Sequence, residues 1–206
     1  IGGDQDEIVL KHALQHAGGL PGMYDDLVHV IPPRTDLTGT ALLILAKYGD
    51  VFLDSQFEDG AAGLEFKLEL VYYPTTTITG GREAIKRPQP DEVTGVDITN
   101  LGDDPEVYRW FFLPENNRST TTHAPIMALA KALSLSGSAL ERESERLMDV
   151  DVWLRAVAFQ SLFGMVDTSP FDNPHNFMIY FRPSDGRAVP FLWDMDFNFG
   201  AAVNSP

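Results

Sequence analysis

The chain has 206 residues, 44% of them hydrophobic, with 30 acidic against 15 basic side chains and a formal net charge of −15. That apolar content builds a core for one large domain or two small lobes and excludes a disordered chain, and the charge, with no Lys/Arg cluster to offset it, excludes nucleic acid as a favoured partner. The absence of cysteine rules out disulfides, thiolate metal sites and cysteine nucleophiles while leaving the compartment open, and no window approaches the roughly 18 to 20 apolar residues of a membrane span.

The start, "IGGDQDEIVLKHAL", lacks the basic-then-apolar layout of a signal peptide, and both ends read as cut from something longer. Residues 6–17 place Ile8, Val9, Leu10, Ala13, Leu14 and Ala17 near helical spacing, with "GGLPG" as a stop. "LVHVI" (27–31) and "ALLILAKY" (41–48) are short β-leaning runs separated by the turn-rich "PPRTDLTG". "LEFKLELVYYP" (64–74) alternates strictly, so Leu64, Phe66, Leu68 and Leu70 share one face and Glu65, Lys67 and Glu69 the other. That second face reads as a solvated surface of mixed charge, the functional alternative being a strand lysine aimed at an anionic ligand.

From 74 to 106 the chain is dense in Thr, Gly, Pro and charge without periodicity, which predicts a long surface excursion. Three helices follow: "APIMALAKALSLSG" with Gly137 as stop, the charged "SALERESERLMD", and "VDVWLRAVAFQSLFG". In the third, Val150, Trp153, Leu154, Val157, Ala158, Ser161 and Leu162 fall on one stripe, and Asp149 or Asp151 serves as N-cap or first-turn acid. A strand-rich front and a helix-rich back make an α+β layout.

"NFMIYF" (176–181) and "RAVPFLW" (187–193), joined by "RPSDGR", predict a β-hairpin whose second strand, carrying Pro190, is an edge strand or bulged. Centring the turn between Ser184 and Asp185 sets Asn176 opposite Trp193 and His175 opposite Asp194, so an amide and the carboxylates of Asp194 and Asp196 converge on one mouth. Such an oxygen set suits a hard cation such as Mg²⁺; the plain alternative is that these residues make Asx-turns at ordinary strand ends. Just upstream, "LFGMVDTSPFDNPHN" puts Asp167 and Asp172 on a loop leading into the hairpin, where an acid can orient a hydroxyl and take its proton. Helix, loop Asp, Asn at the hairpin entry and Asp at its exit is the order of parts in protein kinases, although "HRD", an ordinary "DFG" and a Gly-rich phosphate loop are absent from the sequence.

The pieces "LFGMVD", "HNFMIYF" and "PFLWDMDFNFG" resemble the Gly-x-x-Asp, Asn-aromatic-strand and Pro-Trp-Asp-x-Asp-x-x-Phe-Gly elements of the spore-coat CotH kinase family, atypical protein kinases. The resemblance covers roughly 150–200, with weaker echoes in "ALLILAKYGDVFLDSQFEDGAAGLEFKL"; here Phe191 and Leu192 separate the proline from Trp-Asp. It implies a kinase-like two-lobe arrangement in one domain over 1–206, itself a fragment, with a strand-rich lobe and loop excursion at 1–110 and a helical lobe with the catalytic hairpin at 111–206. It implies Asp167 as catalytic acid, with Asp172 competing, and Asn176, Asp194 and Asp196 around Mg²⁺ or Mn²⁺. ATP would be met by Lys67, with Lys47 as fallback, and Trp193 either packs or lines the nucleotide pocket. His175 reads as a packing or hydrogen-bonding residue. The acidic surface suits a basic, Ser/Thr-rich protein substrate, and the resemblance places such substrates at a spore surface, cell envelope or secreted location. Two other readings stay open: a metal-dependent hydrolase using the same cluster, and a kinase-like binding module without turnover.

Overall fold

A computed structural model of the chain describes residues 3–23, 25–34, 38–73, 77–80, 89–170 and 174–195. The chain begins with α1 (Gly3–His16), followed by β1 (Asp26–Val30) and β2 (Gly39–Ile44), which pair antiparallel as a separate ribbon. The second strand stops at Ile44, earlier than the apolar run predicts, and the Gly49 N–H bonds the Lys47 carbonyl just before α2 (Asp50–Gln56). A 3₁₀ turn at Gly60–Ala62 leads to β3 (Leu64–Leu68).

The alternating run does not continue as one strand. It breaks after Leu68, and β4 (Val71–Tyr72) pairs instead with β5 (Val93–Thr94) in a two-stranded ribbon. The predicted excursion therefore contains a strand. It also runs into α3 (Pro105–Phe111), capped by the Asp104 side chain accepting from the Glu106 N–H, and then β6 (Phe112–Pro114). Next come α4 (Ala124–Leu133), α5 (Gly137–Leu147), α6 (Val150–Phe163), β7 (Phe177–Phe181) and β8 (Ala188–Leu192). The result is mixed α+β.

The main sheet has the order β6-β3-β7-β8, antiparallel throughout, so strands from the front and back of the sequence share it. Pro190 lies on its edge strand, as the missing N–H requires. One face carries Phe66, Leu68, Phe177, Ile179, Phe181 and Leu192 against Leu10 and Leu14 of α1 and the apolar sides of α4 and α6. The other carries Met178, Tyr180, Val189 and Phe191 against Tyr48 and the α2 residues Phe52 and Leu53. All ten residues of β7 and β8 are buried. Each large apolar side chain so enclosed is worth about 1.5–3 kcal/mol.

Because both faces are covered, the charged face of β3 is not solvated. Glu65 is 1% exposed, and the Lys67 side chain is mostly enclosed. Two helix expectations also change. Gly137 does not stop α4, which ends at Leu133; with φ 57° it opens α5 behind its N-cap Ser136. The buried side of α6 is Trp153, Ala156, Phe159 and Gln160, while Leu154 and Leu162 of the expected stripe are exposed. The Trp153 indole N–H donates to the Ala188 carbonyl at 2.9 Å, which sets that rotation. Asp149 is the N-cap of α6, as expected, accepting from the Val152 N–H.

Candidate functional site

The site is built at the end of α6 and the open end of the β7–β8 hairpin. The helix terminates in a Schellman arrangement: Gly164 adopts φ 63°, its N–H bonds the Ser161 carbonyl, and the Met165 N–H bonds the Gln160 carbonyl at 3.0 Å. The chain then enters a loop held from beneath. The buried Gln160 amide donates to the Thr168 hydroxyl at 3.1 Å and to the Ser169 carbonyl at 3.0 Å. Thr168 donates to the Asn176 carbonyl at 3.3 Å, and the Ser169 N–H to the His175 carbonyl at 3.2 Å. Ser169 also donates to Asp97, tying the loop to the segment after β5.

These bonds return the loop across the hairpin mouth. The Asn176 amide N–H donates to Asp167 Oδ2 at 3.2 Å, and His175 Nε2 lies 3.5 Å from the same oxygen. The other ring nitrogen of His175, Nδ1, is buried and makes no hydrogen bond among the described residues. Register follows the sequence reading: Phe177 pairs with Leu192, which carries Asn176 to Trp193 and His175 to Asp194 beyond the last ladder pair. Asn176 and Asp194, at the two rims of the mouth, both have φ 52°. Left-handed backbone costs a non-glycine residue about 1–2 kcal/mol, and Asn and Asp are the residues that tolerate it best. Two such residues at the rims mark the mouth as a place where side-chain direction is set by local geometry.

Burial pushes the Asp194 carboxyl above the ordinary carboxylate range. Lys67 opposes this most, the charge of Asp167 reinforces it, and His175 and Lys11 pull down again. The electrostatic neighbourhood of Asp194 thus contains Asp167, His175, Lys67 and Lys11. The Lys67 ammonium is 2.7 Å from Glu69 Oε2. Lys47 is directed elsewhere, with a 64% exposed side chain 3.8 Å from Glu115. Trp193 packs against the second core cluster with its ring 6.1 Å from that of Tyr48. Asp172 and Asp196 lie outside the described residues.

Among the described residues no group of three His, Asp or Glu side chains stands ready to hold a metal ion. The donor chemistry of the mouth nevertheless fits a hard cation. Its groups are carboxylates and an amide whose nitrogen donates to Asp167, so that the amide oxygen is the atom of the type such an ion takes. Asp194 carries the like-charge pressure from Asp167 that a cation relieves.

Sequence reasoning did not single out Lys11, whose side chain is 2% exposed, or Gln160. The signal for Lys11 was its position between Leu10 and Leu14 on a face that also holds Glu7. Gln160 gave a weaker one, a polar residue seven positions after Trp153 on the buried side of α6.

No curated protein matches the chain. A family model described as CotH kinase protein matches residues 89–205, more than half the sequence. The matched segment includes Asp167, Asn176 and Asp194 and does not reach Lys11, Lys47 or Lys67. With the loop acid, the hairpin asparagine and the hairpin aspartate all inside that match, the chain belongs to the CotH kinase protein family.

Proposed function

We propose that this chain is the catalytic portion of an atypical protein kinase that transfers the γ-phosphoryl group of ATP to Ser or Thr of a protein. The observation that carries this reading is the Asn176–Asp167 hydrogen bond at a mouth where Asp194 stands across the hairpin, all within the family match. The three residues serve distinct roles. Asp167 orients the substrate hydroxyl and accepts its proton. Asn176 and Asp194, with Asp196, hold Mg²⁺, which neutralises phosphate charge when bound. Lys67 is close enough to influence Asp194 and is the lysine best placed to meet a phosphate, releasing Glu69 as it does so. Little covalent chemistry falls to the protein in such a transfer; positioning and charge neutralisation do most of the work.

The two-lobe reading belongs to this proposal: residues 1–110 form the strand-rich part and 111–206 the helical part of one domain, with the main sheet shared between them. An acidic chain of net charge −15 favours a basic protein substrate. A kinase-like module without turnover is the second reading, favoured by the pairing of Lys67 with Glu69 and of Lys47 with Glu115.

Thermal shift with Mg²⁺ alone, Mg²⁺ with ATP, and ATP alone tests the nucleotide claim. Stabilisation that requires both supports it. Stabilisation by metal that ignores ATP contradicts it and favours the hydrolase.

A further inference from the structure

Behind Asp194 lies a sealed group of charges that the proposed chemistry does not use. Lys11 of α1 has a 2% exposed side chain, and its ammonium is 3.9 Å from Glu7 Oε1, 3.8 Å from Asp25 Oδ2 and 3.4 Å from the Tyr48 hydroxyl. Glu7 and Asp25 are themselves fully buried side chains. The same ammonium sits over two aromatic rings, 5.2 Å from the centre of Tyr48 and 5.7 Å from that of Trp193. Both Glu7 oxygens and Asp25 Oδ2 make no hydrogen bond among the described residues, so Lys11 is held chiefly by the Tyr48 hydroxyl and the two rings.

That unit grips consecutive residues at the exit of β8. The Tyr48 hydroxyl donates to the Leu192 carbonyl at 2.9 Å. Lys11 holds the Trp193 ring. Asp194, with its left-handed backbone, is the next residue along the chain. Lys11 is too enclosed to contact a ligand, and nothing in the mouth needs it as one.

We propose that Lys11, through the Glu7–Asp25–Tyr48 cage, is a positioning residue: it clamps Leu192 and Trp193 so that Asp194, the next residue, is held in its left-handed turn beside Asp167 and His175. The clamp itself stands on the contacts above; its consequence for ligand binding rests on the kinase reading. Residues that orient a metal-ligating carboxylate act through it, and their loss weakens metal affinity by about 10- to 100-fold.

Tyr48→Phe is the primary variant, because it removes one hydroxyl and keeps the ring stacked on Phe191 at 4.8 Å. Lys11→Met and Lys11→Arg follow, and Leu14→Ala supplies a cavity on the same helix in the other core cluster. Two readouts are taken on folded protein: amide hydrogen exchange at residues 193–195, and Mg²⁺-ATP affinity by titration calorimetry. Tyr48→Phe and Lys11→Met are expected to speed exchange at 193–195 and weaken Mg²⁺-ATP binding by about 10- to 100-fold, with Lys11→Arg restoring most of both and Leu14→Ala within twofold of the parent. Unchanged exchange at 193–195 overturns the clamp. Faster exchange with unchanged affinity, or affinity loss in Leu14→Ala as large as in Tyr48→Phe, overturns the positioning role. Asp194→Ala that retains Mg²⁺-ATP affinity overturns the kinase reading alone, while the exchange data still decide the clamp.

Discussion

Replacing Glu65 by glutamine isolates the cost of a carboxylate buried in the middle of the main sheet. Glu65 lies on β3, is 1% exposed, and neither of its carboxylate oxygens has a hydrogen-bond partner among the described residues. Burial, reinforced by Glu115 and opposed by Lys47, raises its pKa from 4.5 to about 8. The folded state therefore binds a proton that the unfolded chain releases between those two values, and stability falls as pH rises through that window. Full stability is present below pH 4.5, and the loss is complete above about 8. A shift of that size corresponds to about 5 kcal/mol at high pH and to about 3 kcal/mol already at neutrality. Glutamine mimics the protonated acid. Glu65→Gln is thus expected to match the parent near pH 4 and to exceed it increasingly toward pH 9, by up to about 5 kcal/mol. Urea unfolding at half-unit intervals from pH 4 to 9 measures this. A difference between variant and parent that stays constant with pH, or a variant less stable at pH 8, refutes the reasoning.

Three further outcomes are expected. Asp149→Ala removes both the α6 N-cap and the 2.7 Å partner of Arg182, and should cost about 1–2 kcal/mol from the cap alone by urea unfolding, more if Arg182 is left unpaired. At Gly63 an added Cβ would lie 2.4 Å from the Tyr180 ring and 2.6 Å from the Phe181 carbonyl, so Gly63→Ala should destabilise by about 1–3 kcal/mol in the same assay. Gln160→Leu breaks the two bonds that hold Thr168 and Ser169, and should lower kcat by about 10-fold or more with a smaller change in the KM for ATP, read by steady-state kinetics.

The hairpin was legible in the sequence because its turn residues admit few geometries and its strands are short. The register counted from Ser184 and Asp185 is the one observed, and it alone brings His175 and Asn176 opposite Asp194 and Trp193. The helix starts at Asp149 and Ala124 were legible for a similar reason, a capping side chain or a following proline. What remained hidden depends on partners distant in sequence. α6 carries apolar residues around most of its surface, so periodicity could not choose between Leu154 and Phe159 as the inward side; the Trp153 bond to Ala188 does. The alternation of β3 predicted a wet face, because local pattern cannot see that α2 and Tyr48 cover it. Gly137 resembled a helix stop, yet its positive φ is used one residue after an N-cap. Lys11 was invisible for the opposite reason: a lysine in an amphipathic helix reads as solvated until Glu7, Asp25 and Tyr48, from three parts of the chain, close around it.

Transfer of labelled γ-phosphate from ATP to a basic, Ser-rich protein, compared among the parent, Asp167→Ala and Asp194→Ala, tests the central claim most directly. The account predicts Mg²⁺-dependent transfer by the parent, loss of both Mg²⁺-ATP binding and transfer in Asp194→Ala, and retained binding without transfer in Asp167→Ala. Full transfer by Asp167→Ala, or a parent that binds Mg²⁺-ATP and transfers no label, contradicts it.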